Sequence, residues 1–329
     1  MRMTEMFLVS LFLTLIILSV TVNVEVTAFT HHSVTQSRDE PWNPQTMLLT
    51  IQSYVAWGSP DGQLMPDCEA FDAIFTGNKT WESPFVVPYG FAMIDIEKYC
   101  KELAQNITWH SGKLETGNVV YPLYYGQTDT KPYRVAFVWN AIGESSYREI
   151  FGLKQYDFTI VSTVQFYNET AIFTGKDIFW PQSQGDVPDV LMTMINQYIS
   201  FMQGDCTKYL DLWDKYGYIQ PSGSDGFYGT DNILSYCSKM MYEWSSYTYH
   251  LHDVTFSVFS YTGVINEVAF TWTRTGLHLG EVRTDEVMTE LYLFQDNTPL
   301  KTLKISSSTE YFQPPFRPSR RFASKAEGE

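Results

Sequence analysis

"DGFYGTDNILSYC", residues 225–237, reads as a glycine-rich turn entering a helix, and "YGFAMIDIEKYC", residues 89–100, is nearly the same phrase written earlier in the chain. Each sets Gly-Phe ahead of Asp and Ile and closes on Tyr-Cys. Working outward, Asp67-Cys68 is answered by Asp205-Cys206, Trp109-His110 by Tyr249-His250, and Val135-Ala136-Phe137-Val138-Trp139 by Val268-Ala269-Phe270-Thr271-Trp272. Landmarks that recur in one order at a nearly constant offset mark an internal duplication. The chain therefore divides into residues 1–28, a signal peptide; 29–44, a mature N-terminal segment; 45–180, a first domain; 181–186, a linker; 187–312, a second domain; and 313–329, a basic tail without apolar periodicity.

The second copy shows its elements most clearly. "VPDVLMTMINQYISFM" predicts a helix with Val190, Met194, Tyr198 and Phe201 or Met202 on one face, and "TKYLDLWDKYG" predicts a shorter helix ended by Gly217. A third helix follows the turn, capped by Asp231 or Asn232, with Ile233, Cys237, Met240 or Met241 and Trp244 along its buried stripe. From residue 247 the period falls to two, and "TYHLHDVTFSVFSY", "NEVAFTWTRTG", "EVMTELYLFQ" and "LKTLKISS" predict four antiparallel strands. Helices followed by a meander predict an α+β domain with helices covering one face of a bent sheet.

This order, with its Gly-Phe, Asp and Ile entry into the third helix, resembles the NTF2-like superfamily, which includes SnoaL-like and ketosteroid-isomerase-like proteins. The resemblance implies a fold class of α+β, two tandem NTF2-like cone domains, each with three helices on a curved antiparallel sheet. It also implies that the two copies meet sheet to sheet as an internal pseudo-dimer, and that chemistry uses isolated acids, bases and donors inside an apolar cone.

The N-terminus sets Arg2 before the apolar run Phe7 to Val22 and reaches Val26-Thr27-Ala28, the pattern of a secretory signal. Its removal takes away Arg2, Glu5 and Glu25 and moves the net charge from −15 to −14. So acidic a surface is repelled by nucleic acid and by anionic membranes. Sequons at Asn78, Asn106 and Asn168 suit a secreted, extracellular chain. The four cysteines allow three pairings; one ancestral pair, duplicated, gives Cys68 with Cys100 and Cys206 with Cys237. No Cys/His cluster suggests zinc. If cleavage follows Ala28, the free amine of Phe29 and His31 could share Cu(II) or Ni(II), but no metal is assigned.

The chain lacks a GxxxxGK[ST] loop, an HExxH helix and a GxSxG elbow, which argues against nucleotide, zinc-protease and serine-esterase chemistry. Alternation puts Val135, Phe137 and Trp139 on one strand face, and Val268, Phe270 and Trp272 on one face of the other copy. Facing into a cone, Phe137, Trp139, Phe270 and Trp272 are candidate walls for a flat substrate. His250, His252 and His110 are candidate general bases, because imidazole titrates near neutral pH. Asp157, Asp253 and Asp285 are further carboxylates, none singled out.

Three classes of function remain: an enzyme, a secreted carrier of small apolar ligands, and an extracellular scaffold. The whole profile, 329 residues, 38.0 kDa, acidic, 16% aromatic and signal-bearing, is similar to that of the secreted luciferases of syllid marine worms. That similarity implies a luciferase-type oxygenase, oxidising a small heterocyclic luciferin with O2 as co-substrate and without a tightly bound organic cofactor.

Overall fold

In a computed structural model of the chain, the described residues are 44–56, 67–82, 93–94, 96–97, 100–101, 107–114, 120–124, 131–145, 155–181, 187–200, 205–259, 264–295 and 303–313. The signal segment, Phe29, His31, Asn106 and the tail after Gln313 lie outside them, as do the side chains of Asn78, His110 and Asp157. Among the described residues no helix is long and apolar enough to cross a membrane.

The first half contains α1 (Pro44–Val55), α2 (Cys68–Ala73), β1 (Phe75–Glu82), β2 (Met93–Ile94), β3 (Ile107–Leu114), β4 (Val120–Leu123), β5 (Arg134–Ser145), β6 (Gln155–Asn168) and β7 (Ala171–Pro181). The second contains α3 (Asp189–Ile199), α4 (Cys206–Leu210), β8 (Trp213–Pro221), β9 (Phe227–Tyr228), α5 (Thr230–Glu243), β10 (Trp244–Phe259), β11 (Val264–His278), β12 (Glu281–Gln295) and β13 (Leu303–Gln313). The sheets run β2-β1-β7-β6-β5-β3, with β4 also on β5, and β9-β8-β13-β12-β11-β10. In both, every neighbouring pair is antiparallel except the one joining the early strand to the last: β1 with β7, β8 with β13. Apart from β4, which has no counterpart among the described strands of the second half, the halves share one topology.

Alternation along the repeated strand accounts for the layers. Val135, Phe137 and Trp139 enter the core of the first cone, with Tyr54, Phe71 and Ile160, and Val268, Phe270 and Trp272 enter that of the second, with Tyr198, Ile233 and Leu291. The intervening Ala136, Val138 and Ala269 point the other way. They join Tyr121, Val161, Ile178, Met288 and Tyr311 in a third cluster, where the two sheets meet. Each sheet is thus buried on both faces, and each fully buried large side chain contributes about 1.5–3 kcal/mol.

The cysteines pair as Cys68–Cys100 and Cys206–Cys237, tying α2 to the helical turn at 100–101 and α4 to α5. Two such bonds fit an oxidising compartment.

Four readings of the sequence need correction. The segment from Trp213 does not continue the second helix: α4 stops at Leu210, and residues 213–221 form β8. Pairing with the last strand outweighs the helical spacing of Leu210, Trp213 and Gly217. Neither Asp231 nor Asn232 caps α5, because the N-cap is Gly229 in a left-handed conformation (φ 79°), and both residues lie in the first turn. Val190 is 57% exposed; the buried face of α3 is Leu191, Met194, Ile195, Tyr198 and Ile199. Met240 rather than Met241 is buried on α5, and Trp244 opens β10 instead of extending the helix.

Gly276 of β11 lies hard against the backbone of β10. A Cβ there would lie 1.9 Å from the Ser246 carbonyl oxygen and 2.6 Å from the Tyr247 Cα. Gly276→Ala must therefore push β10 from β11 and lower stability by about 1–3 kcal/mol, read as a lower melting temperature.

Candidate functional site

Inside each cone the first helix sends a tyrosine to a buried acid on the last strand. Tyr54 Oη donates to both carboxylate oxygens of Asp177, each at 2.9 Å, and Ser162 Oγ donates to Asp177 Oδ1 while accepting from Trp139 Nε1 at 2.8 Å. In the second cone Tyr198 Oη donates to Glu310 Oε1 (2.6 Å), Tyr236 Oη to Oε2 (2.7 Å), and Trp272 Nε1 to Thr289 Oγ1 (3.0 Å). Strand register makes these equivalents, because Ser162 stands opposite Asp177 and Thr289 opposite Glu310. Burial is the largest influence on Glu310 and raises its pKa, over the opposing effect of both tyrosine donors and Arg274. Burial likewise pushes the Tyr198 and Tyr236 hydroxyls well above their usual value.

The candidate walls lie within this packing. Phe137, Trp139, Phe270 and Trp272 are at most 1% exposed. Tyr54 stands edge-on to Phe137 and Trp139, and Tyr198 edge-on to Phe270. The candidate histidines lie elsewhere. His250 and His252 are exposed, with rings 4.8 Å apart, and His252 Nε2 sits 3.2 Å from Thr273 Oγ1. The backbone of His110 falls where the β3–β5 register shifts. Asp253 accepts from Thr271 Oγ1 at 2.8 Å, and Asp285 is buried between two arginines.

An opening of about 390 Å³ lies where α5 meets the ends of β11 and β12. α5 lines it with Tyr236, Lys239 and Glu243, three residues at helical spacing, and β11 adds Arg274 and His278, four residues apart on one strand face. Arg283 of β12 and the rings of Trp244 and Phe312 complete the wall. Arg274 Nε and Nη2 donate to Asp285 Oδ2 at 3.0 and 2.8 Å, and Arg283 Nε donates to Oδ1. The Arg274 guanidinium lies 4.6 Å from the Trp244 ring and 5.2 Å from that of Phe312. His278 Nε2 lies 3.5 Å from Glu243 Oε2, and its ring 5.1 Å from that of Trp244.

A tight hairpin sets this pair. Leu279 (φ 51°) and Gly280 (φ 85°) form a two-residue turn of the left-handed kind, and the Leu279 N–H donates to the Glu243 carbonyl at 2.7 Å. The first half reaches the rim through Tyr124, whose N–H donates to Ser222 Oγ at 3.0 Å.

Sequence reasoning passed over His278, Arg274, Tyr236 and both buried acids. One available signal was Asp177-Ile-Phe179-Trp-Pro181 against Glu310-Tyr-Phe312-Gln-Pro314, an acid-x-Phe-x-Pro pattern shared by the two copies.

Because burial raises the Glu310 pKa, the folded protein keeps this proton after the unfolded chain has released it. The stability linked to Glu310 is complete below the ordinary glutamate pKa and is lost as pH rises through the folded value. Melting curves from pH 4 upward should therefore fall less steeply for Glu310→Gln than for the parent, whatever the offset between them at pH 4. Parallel curves would show that the residue ionises normally.

No protein-family model and no curated protein matches this sequence. Among solved structures it is similar to a ketosteroid isomerase-like protein from Erwinia carotovora atroseptica, at 13% identity over 38% of this chain and 95% of that one, TM-score 0.30. It is also similar to a hexachlorocyclohexane dehydrochlorinase from Novosphingobium barchaimii (10%, 38% and 87%, TM-score 0.32) and to an NTF2-like protein from Cytophaga hutchinsonii (11%, 38% and 96%, TM-score 0.29). By its two sheets of matching strand order, each packed against helices of its own half, the chain is an α+β protein built from two copies of one fold.

Proposed function

We propose that the protein is a secreted small-molecule enzyme whose second domain takes up a small planar anion and removes a proton from it. The observation that carries this reading is the meeting of the His278–Glu243 pair with Arg274, Arg283 and Lys239 in one opening between aromatic rings. Glu243 beside Nε2 favours the tautomer with its proton there, which leaves Nδ1 as the basic nitrogen, and it stabilises the imidazolium formed on proton transfer. Arg283 Nη1 already lies 3.5 Å from Nδ1, so a bound anion competes for the guanidinium and uncovers the lone pair. Arg274, desolvated and held by Asp285, offers fixed positive charge to the negative charge that develops. Trp244 and Phe312 supply stacking surface.

Deprotonation leaves an electron-rich anion, the form in which a heterocycle gives an electron to O2. The finer reading is thus a luciferase-type oxygenase that uses O2 and needs no tightly bound organic cofactor. Purified protein with small heterocyclic acids, in air and under nitrogen, tests it: light and oxygen uptake are expected only in air. His278→Ala should lower kcat by about 10²–10⁴-fold, the usual share of a general base, while Lys239→Ala should mainly raise KM. Ligand that copurifies and quenches tryptophan fluorescence stoichiometrically, without turnover, would make the protein a carrier instead.

The two tryptophans should separate. The Trp272 ring lies 5.7 Å from the Arg274 guanidinium, so Trp272→Phe should change turnover as well as stability. Trp139→Phe, in the other cone, should lower the melting temperature and leave kcat unchanged.

A further inference from the structure

The sheet-to-sheet layer carries charge that the duplication did not copy. Lys176 of the first sheet donates to Glu267 Oε1 of the second at 2.6 Å and to Glu290 Oε1 and Tyr292 Oη, with its ammonium 4.2 Å from the Tyr292 ring centre. Lys176, Glu267 and Glu290 are at most 6% exposed. Arg134 belongs to the same layer: desolvation pulls its pKa down, but Tyr311, Glu290, Tyr133 and Tyr292 outweigh that and hold it above its usual value. Lys176, together with Arg134 and Tyr311, also holds Glu290 ionised against its burial.

Register identifies the equivalent positions. Arg134 precedes Val-Ala-Phe in the first copy where Glu267 precedes it in the second. Thr163 stands opposite Ala136 as Glu290 stands opposite Ala269, and Lys176 stands opposite Thr163 as Thr309 stands opposite Glu290. At these three positions the first face reads Arg, Thr, Lys and the second reads Glu, Glu, Thr. One face carries two positive charges, the other two negative, at sites that share an ancestor.

We propose that this row is a pairing code: each sheet accepts the other half as its partner and rejects a copy of itself. Two first-half faces would bury four cations together and two second-half faces four carboxylates, each without compensation. The face therefore fits one occupant, the complementary half of the chain.

Three full-length variants test this. One rewrites the first face as the second (Arg134→Glu, Thr163→Glu, Lys176→Thr); another rewrites the second as the first (Glu267→Arg, Glu290→Thr, Thr309→Lys); the third carries both sets and inverts the code. Each single-face variant should melt lower by on the order of 10 °C and scatter X-rays as a more open particle. The inverted chain should recover most of the loss, and an equimolar mixture of the two single-face chains should associate one to one in light scattering. Single-face variants that melt like the parent, or an inverted chain no more stable than they are, would overturn the code. Should the single-face chains fail to fold, Lys176→Met, Glu290→Gln and their combination decide: coupling between the two losses supports the code, and simple additivity refutes it.

Discussion

The structure depends on a two-sided requirement: each sheet must bury both of its faces, and the faces bury against different things. A strand with period two has only two sets of side chains, so odd positions in Val135 to Trp139 serve the cone and even ones the opposite sheet. This explains why the repeated strand is almost wholly apolar, where a half-exposed strand would alternate with polar residues. The Tyr–acid pairs inside the cones and the lysine–glutamate group between the sheets each satisfy the groups they bury.

Much of the architecture was legible because it was written twice. The strands of the second copy could be found from alternation, and the cysteines could be paired once the copies were aligned. β8 was hidden for a physical reason: a short strand with Trp213 and Ile219 buried and Lys215 and Tyr216 exposed pairs in parallel with a strand about ninety residues later, which local patterning does not report. Gly229 was hidden because the Asp and Asn after it are common caps, and only the backbone shows that the left-handed residue comes first.

The candidate site was legible only in outline. The histidine shared by Trp109-His110 and Tyr249-His250 drew attention to His110 and His250, yet recurrence in both copies is a mark of shared fold, and His250 is exposed. His278 belongs to one copy, as do Arg274 and Glu243, so a search for what the copies share could not find it. Asp285 looked like a free acid in sequence and is instead the anchor for two arginines, Arg274 brought to it across the hairpin and Arg283 two residues before it on its own strand.

The rim contact between Tyr124 and Ser222 has one more consequence. It makes the first cone a wall of the second cone's entrance, while the described residues of its own interior pack aromatic and aliphatic side chains around Asp177. A duplicated chain normally leaves two sites to maintain. Here the two copies have diverged: Glu243, Arg274 and His278 meet at the mouth of the second, and the charges between the sheets differ from one face to the other.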